Sequence, residues 1–250
     1  MNWLRFINLA KKRQVGFKVK DYSNYSRFQE FQALEIIKEI KYQKIQINNL
    51  RVLELAAGVG GYSTTLYRSC KKFISSDIYR FPNYNQHPFI DYTIFDASKK
   101  YPFNDNSFDF IFCSSLIEHI ENPIYMMQEI KRVLKGNGYL YISYPPFYSP
   151  YGGHYFSPFH LVGEKTAIKL SKKIFRNVPD GVTNYSNCWG EGRGLFRRTI
   201  RSVKKLLNEY GFVIDLIWPR FFMKFNVAKI PILNEVLCWH VCFICRNSKQ

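Results

Sequence analysis

The 250-residue chain is strongly basic: 36 Lys and Arg residues against 19 Asp and Glu residues give a formal net charge of +17. A chain of this length buries enough surface to fold without disulfides, and 46% apolar with 22% charged residues excludes global disorder. No uncharged apolar run reaches about 18 residues, so we predict no membrane-spanning helix.

The first twenty residues contain six basic residues and no acidic residue. They lack an uninterrupted apolar stretch with a cleavage site, so we predict no secretory signal. Residues 1–20 fit a solvated or docked tail, or a basic amphipathic segment resting on an anionic membrane or an acidic partner.

The six cysteines are few and irregularly spaced. We therefore expect reduced thiols in a cytoplasmic protein, with peripheral membrane contact as the alternative.

Regular elements alternate through the first 146 residues. A helix is predicted to begin near Ser26, where Ser26 and Gln29 have capping-box spacing. Compact apolar runs predict buried strands at 50–55, 72–76, 91–95, 108–114 and 139–143. Helical patterns lie between them, at 62–70 and from a cap at Asn122 to a stop at Gly136. This alternation is typical of βαβ units and a parallel sheet.

The pattern changes after Pro146. Residues 147–198 are rich in Tyr, Phe, Gly, Pro and His, with one predicted helix at 164–175. Thr199 then caps another helix, and strands follow at 212–218 and 236–245. We divide the chain into four parts. Residues 1–49 are an N-terminal basic segment and helix, and residues 50–146 are the core. Residues 147–198 are an aromatic-rich insertion, and residues 199–250 are the last helix and strand pair of the same domain. The insertion is interpreted as a substrate lid or as a self-packed accessory subdomain.

A glycine-rich loop follows the first strand, in the sequence VLELAAGVGG at 52–61. Glycine at such a turn lets the backbone approach a ligand closely. Asp77 ends the second strand, 19 residues after Gly58, and Asp96 ends the third strand, another 19 residues on. Carboxylates there could accept hydrogen bonds from a ribose and from the amino group of adenine. Both aspartates also fit ordinary turn residues.

These motifs resemble those of class I S-adenosylmethionine-dependent methyltransferases of the small-molecule, type 11-like kind. The resemblance is carried by VLELAAGVGGYS at 52–63, SSDI at 75–78, FDASKKYPFNDNSFDFIFCSSLIEHIENP at 95–123 and RVLKGNGYLYISYPP at 132–146. Residues 199–218 match more weakly. The resemblance implies an α/β, Rossmann-like fold: a mostly parallel seven-stranded sheet, helices on both faces and an insertion after the fifth strand.

The same resemblance implies S-adenosylmethionine as cofactor and assigns residues to it. Glu54 would orient the methionine amino group through water, and the backbone at Ala56, Ala57 and Gly58 would line the methionine. Asp77 would hold the ribose and Ile78 would lie against the adenine. Asp96 and Ala97 would contact the adenine edge, and Cys113 and Ser114 would lie beside the donor.

Ala56 departs from the family pattern, which usually has glycine at this position. A side chain in the left-handed region costs about 1–2 kcal/mol. Because Gly58, Gly60 and Gly61 remain in the loop, we expect a negative φ at Ala56.

Methyl transfer from a sulfonium is an in-line displacement that depends mainly on alignment. An oxygen acceptor also benefits from a general base, and the candidates are His119, His154 and His160. The stretch 152–160, GGHYFSPFH, resembles a segment of methyltransferases from bacterial surface-polysaccharide clusters. We therefore predict a small-molecule acceptor, an oxygen of a glycan or related metabolite. In the insertion, aromatic side chains such as Trp189 could stack on a sugar, and Arg193, Arg197 and Arg198 could pair with an acidic acceptor.

Other functions remain open. A nicotinamide-dependent oxidoreductase would use a similar fold, but the loop lacks the last glycine of G-x-G-x-x-G. The net charge prompts RNA methylation, yet the basic residues are scattered and no RNA-binding module is visible, so nucleic acid is disfavoured. A donor-binding protein without catalysis is a further alternative.

Cys238, Cys242 and Cys245 have the spacing of an iron–sulfur site, but they lie in the predicted final strand. We interpret them as core thiols and predict no metal site.

Overall fold

The computed structural model describes residues 8, 22–174, 178–179, 181–188, 193–220 and 226–248. The predicted amphipathic segment at 1–20, apart from Asn8, and Trp189 lie outside these residues. Seven strands are found in the described part: β1 (Arg51–Leu55), β2 (Lys72–Asp77), β3 (Asp91–Ile94), β4 (Phe108–Ser114), β5 (Leu134–Tyr144), β6 (Phe212–Pro219) and β7 (Val241–Asn247). The α-helices found there are α1 (Ser23–Tyr42), α2 (Gly61–Leu66), α3 (Ile124–Val133), α4 (Glu164–Ile174), α5 (Ile200–Glu209) and α6 (Leu233–Leu237).

The strands form one sheet with the order β3-β2-β1-β4-β5-β7-β6. β1 pairs with β2, and β2 with β3, in parallel. β7 is antiparallel to both β5 and β6. The predicted α/β class with a mostly parallel seven-stranded sheet is confirmed. Within the ranges described above, no helix has the length and apolar character that a membrane crossing needs.

The chain divides into two compact units, residues 1–112 and 113–250. In the first unit, α1 buries one apolar face that includes Phe28, Ile36 and Ile40, and β1 is buried along Val52–Leu55. A Cβ on Gly61 would lie 2.3 Å from the backbone oxygen of Ser26. Only glycine therefore lets α2 begin this close to α1.

The second unit contains β5 to β7 and the aromatic-rich segment. Its sheet core includes large buried side chains from paired strands, such as Tyr141 and Tyr144 on β5 and Phe243 on β7. Residues 147–198 have an apolar cluster of their own, formed by Phe156, Ala167, Ile168, Val182, Cys188 and Leu195. This segment therefore packs on a small core that its own residues supply.

Several predicted element ends in the first 146 residues are wrong. The helix predicted at 62–70 ends at Leu66, and the strand predicted at 139–143 spans Leu134–Tyr144. α1 begins at Ser23 with Tyr22 as its N-cap, so Ser26 lies inside the helix, where its hydroxyl donates to Glu30 at 3.5 Å. α3 ends at Val133 and β5 begins at once with Leu134, so Gly136 lies in a strand. Local capping patterns compete with tertiary packing, which here extends one helix and ends the other early.

In residues 199–250, the predicted helix cap is confirmed and the predicted start of the last strand is wrong. Thr199 caps α5 as predicted, because its hydroxyl accepts a hydrogen bond from the Ser202 amide at 3.0 Å. The strand predicted at 236–245 begins only at Val241, and residues 233–237 form α6 instead. A short apolar run has too few residues for its periodicity to separate helix from strand.

Candidate functional site

The glycine loop joins β1 to α2 and has three left-handed residues: Ala56 at φ 55°, Gly58 at φ 54° and Gly60 at φ 86°. The expectation of a negative φ at Ala56 is therefore wrong. The Ala57 amide donates to the Ser76 carbonyl at 2.9 Å, which ties the loop to the adjacent strand β2. An alanine held in the left-handed region stores about 1–2 kcal/mol, and such strain is typical of ligand-binding loops.

Asp77 lies directly against this loop, as the 19-residue spacing predicts. One carboxylate oxygen accepts from the Gly58 amide at 2.9 Å, and the other accepts from the Ile78 amide at 2.7 Å. Each carboxylate oxygen has two lone pairs, so Asp77 can hold the loop and still accept hydrogen bonds from a ligand. Ile78 remains 37% exposed beside it.

Glu54 is buried under the loop, with 1% of its surface exposed. One of its carboxylate oxygens accepts from the Ser63 hydroxyl and from the Ser75 hydroxyl, the latter at 3.1 Å. The Tyr84 hydroxyl lies 2.6 Å from that of Ser63 and extends the network. Burial raises the pKa of Glu54 to about 7, although the two serine hydrogen bonds oppose this shift. Sequence reasoning found Glu54 but not the three hydroxyl groups around it.

Asp96 makes the hydrogen bonds of a turn. The same carboxylate oxygen accepts from the Ser98 amide at 2.8 Å and from the Ser98 hydroxyl at 2.7 Å. Lys99 lies 3.9 Å from the other oxygen. The next residue, Ala97, is buried. These contacts match the turn interpretation of Asp96, and they leave lone pairs for a ligand.

Cys113 and Ser114 end β4 and belong to the second unit. Cys113 is fully buried, and burial raises the pKa of its thiol, so it is an inert core thiol. Ser114 accepts from the Arg220 guanidinium at 3.0 Å, which also donates to the hydroxyl groups of Ser143 and Tyr141. Sequence reasoning missed Arg220 because no local pattern distinguishes a buried arginine from a surface one.

Two of the three candidate histidines meet at a buried glutamate in the second unit. The Nε2 atoms of His119 and His154 each lie 3.9 Å from Oε1 of Glu118, and the two rings are 5.1 Å apart. We call these three residues the Glu118 cluster. Sequence analysis noted Glu118 only as part of a matching loop.

The Glu118 carboxylate is 1% exposed, and neither of its oxygens has a hydrogen-bond partner within the part of the chain that is described. Burial raises the pKa of Glu118 to about 8, while the backbone N–H of Glu118 itself and then the positive charges of Arg220 and Arg198 act in the opposite direction. Arg198 itself donates to the carbonyl groups of Ile117, Ile120 and Glu121. Its guanidinium therefore holds the backbone around Glu118. The sequence instead suggested that Arg198 could pair with an acidic acceptor.

The His119 ring is fixed by its Nδ1 atom, which lies 2.8 Å from the carbonyl oxygen of Gly194. A carbonyl can only accept, so Nδ1 carries the proton and Nε2 presents a lone pair toward the cluster. Burial lowers the pKa of His119 to about 4, against the effect of the Gly194 hydrogen bond. His119 is therefore neutral at physiological pH and a weak base.

The third candidate, His160, is a buried packing residue outside this cluster. Its Nε2 lies 2.8 Å from the Phe147 carbonyl oxygen. A Cβ on Gly153 would lie 2.3 Å from the His160 ring, so glycine at that position makes room for it. Burial lowers the pKa of His160.

The C-terminal cysteines Cys238, Cys242 and Cys245 are fully buried, and all six cysteines of the chain are free. The Tyr141 hydroxyl donates to Cys242 Sγ at 3.2 Å. The prediction that these cysteines are core thiols is confirmed.

Comparison with known proteins shows what the chain is similar to. Residues 53–142 match the family described as Methyltransferase domain. An uncharacterised methyltransferase of Mycobacteroides abscessus is 28% identical over 147 residues, which cover 58% of this chain and 53% of that protein. An uncharacterised methyltransferase of Mycobacterium tuberculosis is 36% identical over 138 residues, which cover 54% and 51%. The chain thus spans about half the length of the curated relatives it matches.

Solved structures agree at the level of the fold. A SAM-dependent methyltransferase from Aquifex aeolicus aligns with a TM-score of 0.56 and 16% identity, over 92% of this chain and 97% of that one. Residues 53–142 are therefore similar to a methyltransferase domain, and the chain shares its fold with a solved SAM-dependent methyltransferase.

Proposed function

We propose that this chain transfers a methyl group from S-adenosylmethionine to a small-molecule acceptor. The observation that supports this most is the hydrogen bond from the Gly58 amide to Asp77. It holds an acidic side chain at the end of β2 against the glycine loop at the end of β1. In an open α/β sheet, this edge is where nucleosides bind.

The residues of the first unit fit the donor. A Cβ on Gly58 would meet nothing within 4 Å, so there is open space beside the loop. We propose that Asp77 accepts the ribose hydroxyl groups, that Ile78 covers the adenine, and that Asp96 and Ala97 meet the adenine edge. Backbone groups of Ala56, Ala57 and Gly58 line the methionine part.

Glu54 has a separate role in this proposal. It is a buried carboxylate, and the positively charged amino group of the methionine would supply the opposite charge, directly or through water. The bound donor supplies a methyl group that is already activated by a sulfonium. The protein's task is then to align the acceptor and exclude water.

For the acceptor we propose an oxygen of a glycan or related metabolite. Residues 147–198 contain many aromatic side chains, and Tyr151 is 39% exposed next to Trp239, with ring centroids 5.2 Å apart. Exposed aromatic rings of this kind can stack on a sugar. We propose that this segment serves as the substrate lid, even though it has its own small core.

The second unit also supplies our candidate for acceptor activation. Among the three histidines, His160 is occupied in packing and His119 is held as a weak base. His154, with its side chain 24% exposed, is the histidine we place closest to the acceptor chemistry. Cys113 and Ser114 remain proposed neighbours of the donor.

Calorimetric titration with S-adenosylmethionine and with NAD(P) tests the donor. We expect binding of S-adenosylmethionine alone, and binding of the nicotinamide cofactor alone would refute the proposal. Acceptor screening by mass spectrometry then looks for a gain of one methyl group among glycans, acidic metabolites and RNA. A methylated RNA would correct the acceptor but leave the donor site intact.

A further inference from the structure

We propose that Glu118, His119 and His154 bind a divalent transition-metal ion of the zinc class. Their candidate ligand atoms all lie within 4.8 Å of one another. The inference goes beyond methyl transfer, because it concerns a site that the second unit builds from its own residues. It differs from the sequence-based prediction of no metal site.

The geometry requires only small movements to accept an ion. Both Nε2 atoms are 3.9 Å from Glu118 Oε1, whereas ligand atoms in a tetrahedral zinc site are about 3.4 Å apart. Glu118 and His119 are adjacent in the chain, in the 3₁₀ turn Ile117–His119, and His154 begins a second turn, His154–Phe156. Since the ligand atoms are at most 4.8 Å apart, side-chain shifts on the order of 1 Å would close the site.

The Glu118 carboxylate is the strongest argument for a ligand. A buried carboxylate without hydrogen bonds is costly, yet Glu118 is 1% exposed and neither oxygen has a partner within the described residues. Glu118 Oε1 faces the Nε2 atoms of His119 and His154. The Nε2 of His119 carries a lone pair. A lone pair facing a carboxylate is unfavourable unless a proton or a cation lies between them.

The hydrogen bond of His119 is the one that metal-binding histidines typically make. Metal ligands of this type donate the second ring N–H to a carbonyl or carboxylate, which fixes the tautomer and orients the ring. Gly194 supplies that carbonyl at 2.8 Å from Nδ1. The neighbouring Phe196 amide donates to the Glu118 carbonyl at 2.8 Å, so the same segment also positions the glutamate backbone.

The backbone of His154 adds an independent observation. Its φ is 49°, in the left-handed region that non-glycine residues rarely adopt. Two residues earlier, Gly152 packs so closely against the Pro146 carbonyl that a side chain would not fit there. The chain thus accepts strain at the residue that brings its imidazole to Glu118, as functional sites often do.

The ligand set indicates the class of ion. Two imidazoles and one carboxylate suit Zn²⁺, Co²⁺, Fe²⁺ or Mn²⁺ rather than Ca²⁺ or Mg²⁺, which prefer oxygen ligands. Three protein ligands leave at least one position for water or an oxygen of a small molecule, as in catalytic rather than structural zinc sites. Arg198 and Arg220 place positive charge near Glu118, so we expect weaker binding than in a site without them.

The test uses the full chain, purified without a polyhistidine tag and treated with a chelator. Co²⁺ is added and its visible d–d absorption recorded, and Zn²⁺ binding is measured by calorimetry. We expect one ion per chain, with no thiolate-to-cobalt charge-transfer band. Absence of binding, or a thiolate band from the cysteines, would overturn the proposal. Neither measurement involves the methyl donor or an acceptor, so this outcome is separable from that of the proposed function.

Variants identify the ligands. His154→Asn removes an imidazole while keeping a residue that tolerates positive φ, and Glu118→Gln removes the carboxylate with little change in shape. We expect each to weaken Co²⁺ binding at least tenfold, about 1.4 kcal/mol. The matched controls His87→Asn and Glu121→Gln change the same residue types elsewhere and should bind as the wild type does. Unchanged binding in either cluster variant that retains the wild-type circular dichroism spectrum would contradict the proposal. If neither variant folds, wild-type binding of one ion without a thiolate band still decides it.

Discussion

Each of the two units buries one glutamate at 1% exposure, but the surroundings of Glu54 and Glu118 differ sharply. Glu54 accepts hydrogen bonds from Ser63 and Ser75 in a network that Tyr84 extends. Neither carboxylate oxygen of Glu118 has a hydrogen-bond partner in the described ranges, and Oε1 faces two imidazole nitrogens at 3.9 Å.

The comparison teaches that burial alone does not define a site. One oxygen of Glu54 already accepts two serine hydrogen bonds without a ligand, which suits a carboxylate that orients a donor while remaining in place. The surroundings of Glu118 are incomplete, because a buried carboxylate needs a proton or a cation. We therefore propose that donor binding depends mainly on residues of the first unit and that acceptor or metal chemistry depends on the second, and the following experiments can break that division.

The largest expected effect is on turnover in the second unit. We expect His154→Asn to lower kcat by about 100-fold or more, while donor affinity measured by calorimetry stays within twofold of the wild type. The comparison variant His160→Gln should instead lower stability, by about 1–3 kcal/mol, because it disturbs a buried hydrogen bond. A wild-type kcat in His154→Asn would remove His154 from the acceptor chemistry.

The next effect concerns pH and Glu54. Burial raises its pKa from 4.5 to about 7, so between these values the folded chain binds more protons than the unfolded chain. Stability therefore falls as pH rises through this window and stays lower above pH 7, by roughly 3 kcal/mol in total. Denaturant unfolding of Glu54→Gln should show a smaller decrease than the wild type, with the remainder due to Glu118, whose pKa burial also raises, whereas Glu209→Gln on the surface should retain the full decrease. Parallel pH profiles for wild type and Glu54→Gln would show that the buried carboxylate does not titrate in this way.

Donor affinity tests the first unit directly. We expect Asp77→Ala to weaken S-adenosylmethionine binding by about 1–3 kcal/mol, since it removes charge-assisted hydrogen bonds and the anchor of the Gly58 amide. Asp91→Ala, on an aspartate whose side chain is 64% exposed in the same unit, provides the control. Equal calorimetric affinities for wild type and Asp77→Ala would place the donor elsewhere.

The smallest effect is strain relief at Ala56. Glycine adopts φ 55° without the Cβ clash, but it gives the unfolded chain more freedom. We expect Ala56→Gly to raise the free energy of unfolding by about 1 kcal/mol. Ala57→Gly, at a neighbour outside the left-handed region, should lower it. Destabilisation by both substitutions would mean that the loop holds Ala56 without strain.

Local patterns were sufficient to predict the sheet and the donor loop. β4 was predicted with its observed bounds, Phe108–Ser114, because a buried run flanked by polar turns is a strong strand signal. The contact between Asp77 and Gly58 follows from parallel pairing, since β1 and β2 end at the same edge of the sheet. Element ends were less predictable, as Gly136 and residues 236–240 show.

The sequence by itself thus determined the α/β alternation, the glycine loop and the acidic residue beside it, because these depend on periodicity and on short, regular connections. Only the tertiary structure decided that Ala56 is left-handed, that Glu118 is buried and that His154 faces it. The residues of the Glu118 cluster are brought together by an irregular segment, in which Gly194 reaches back 75 residues to hold His119. No periodic pattern encodes such contacts, because they depend on the path of the whole folded chain.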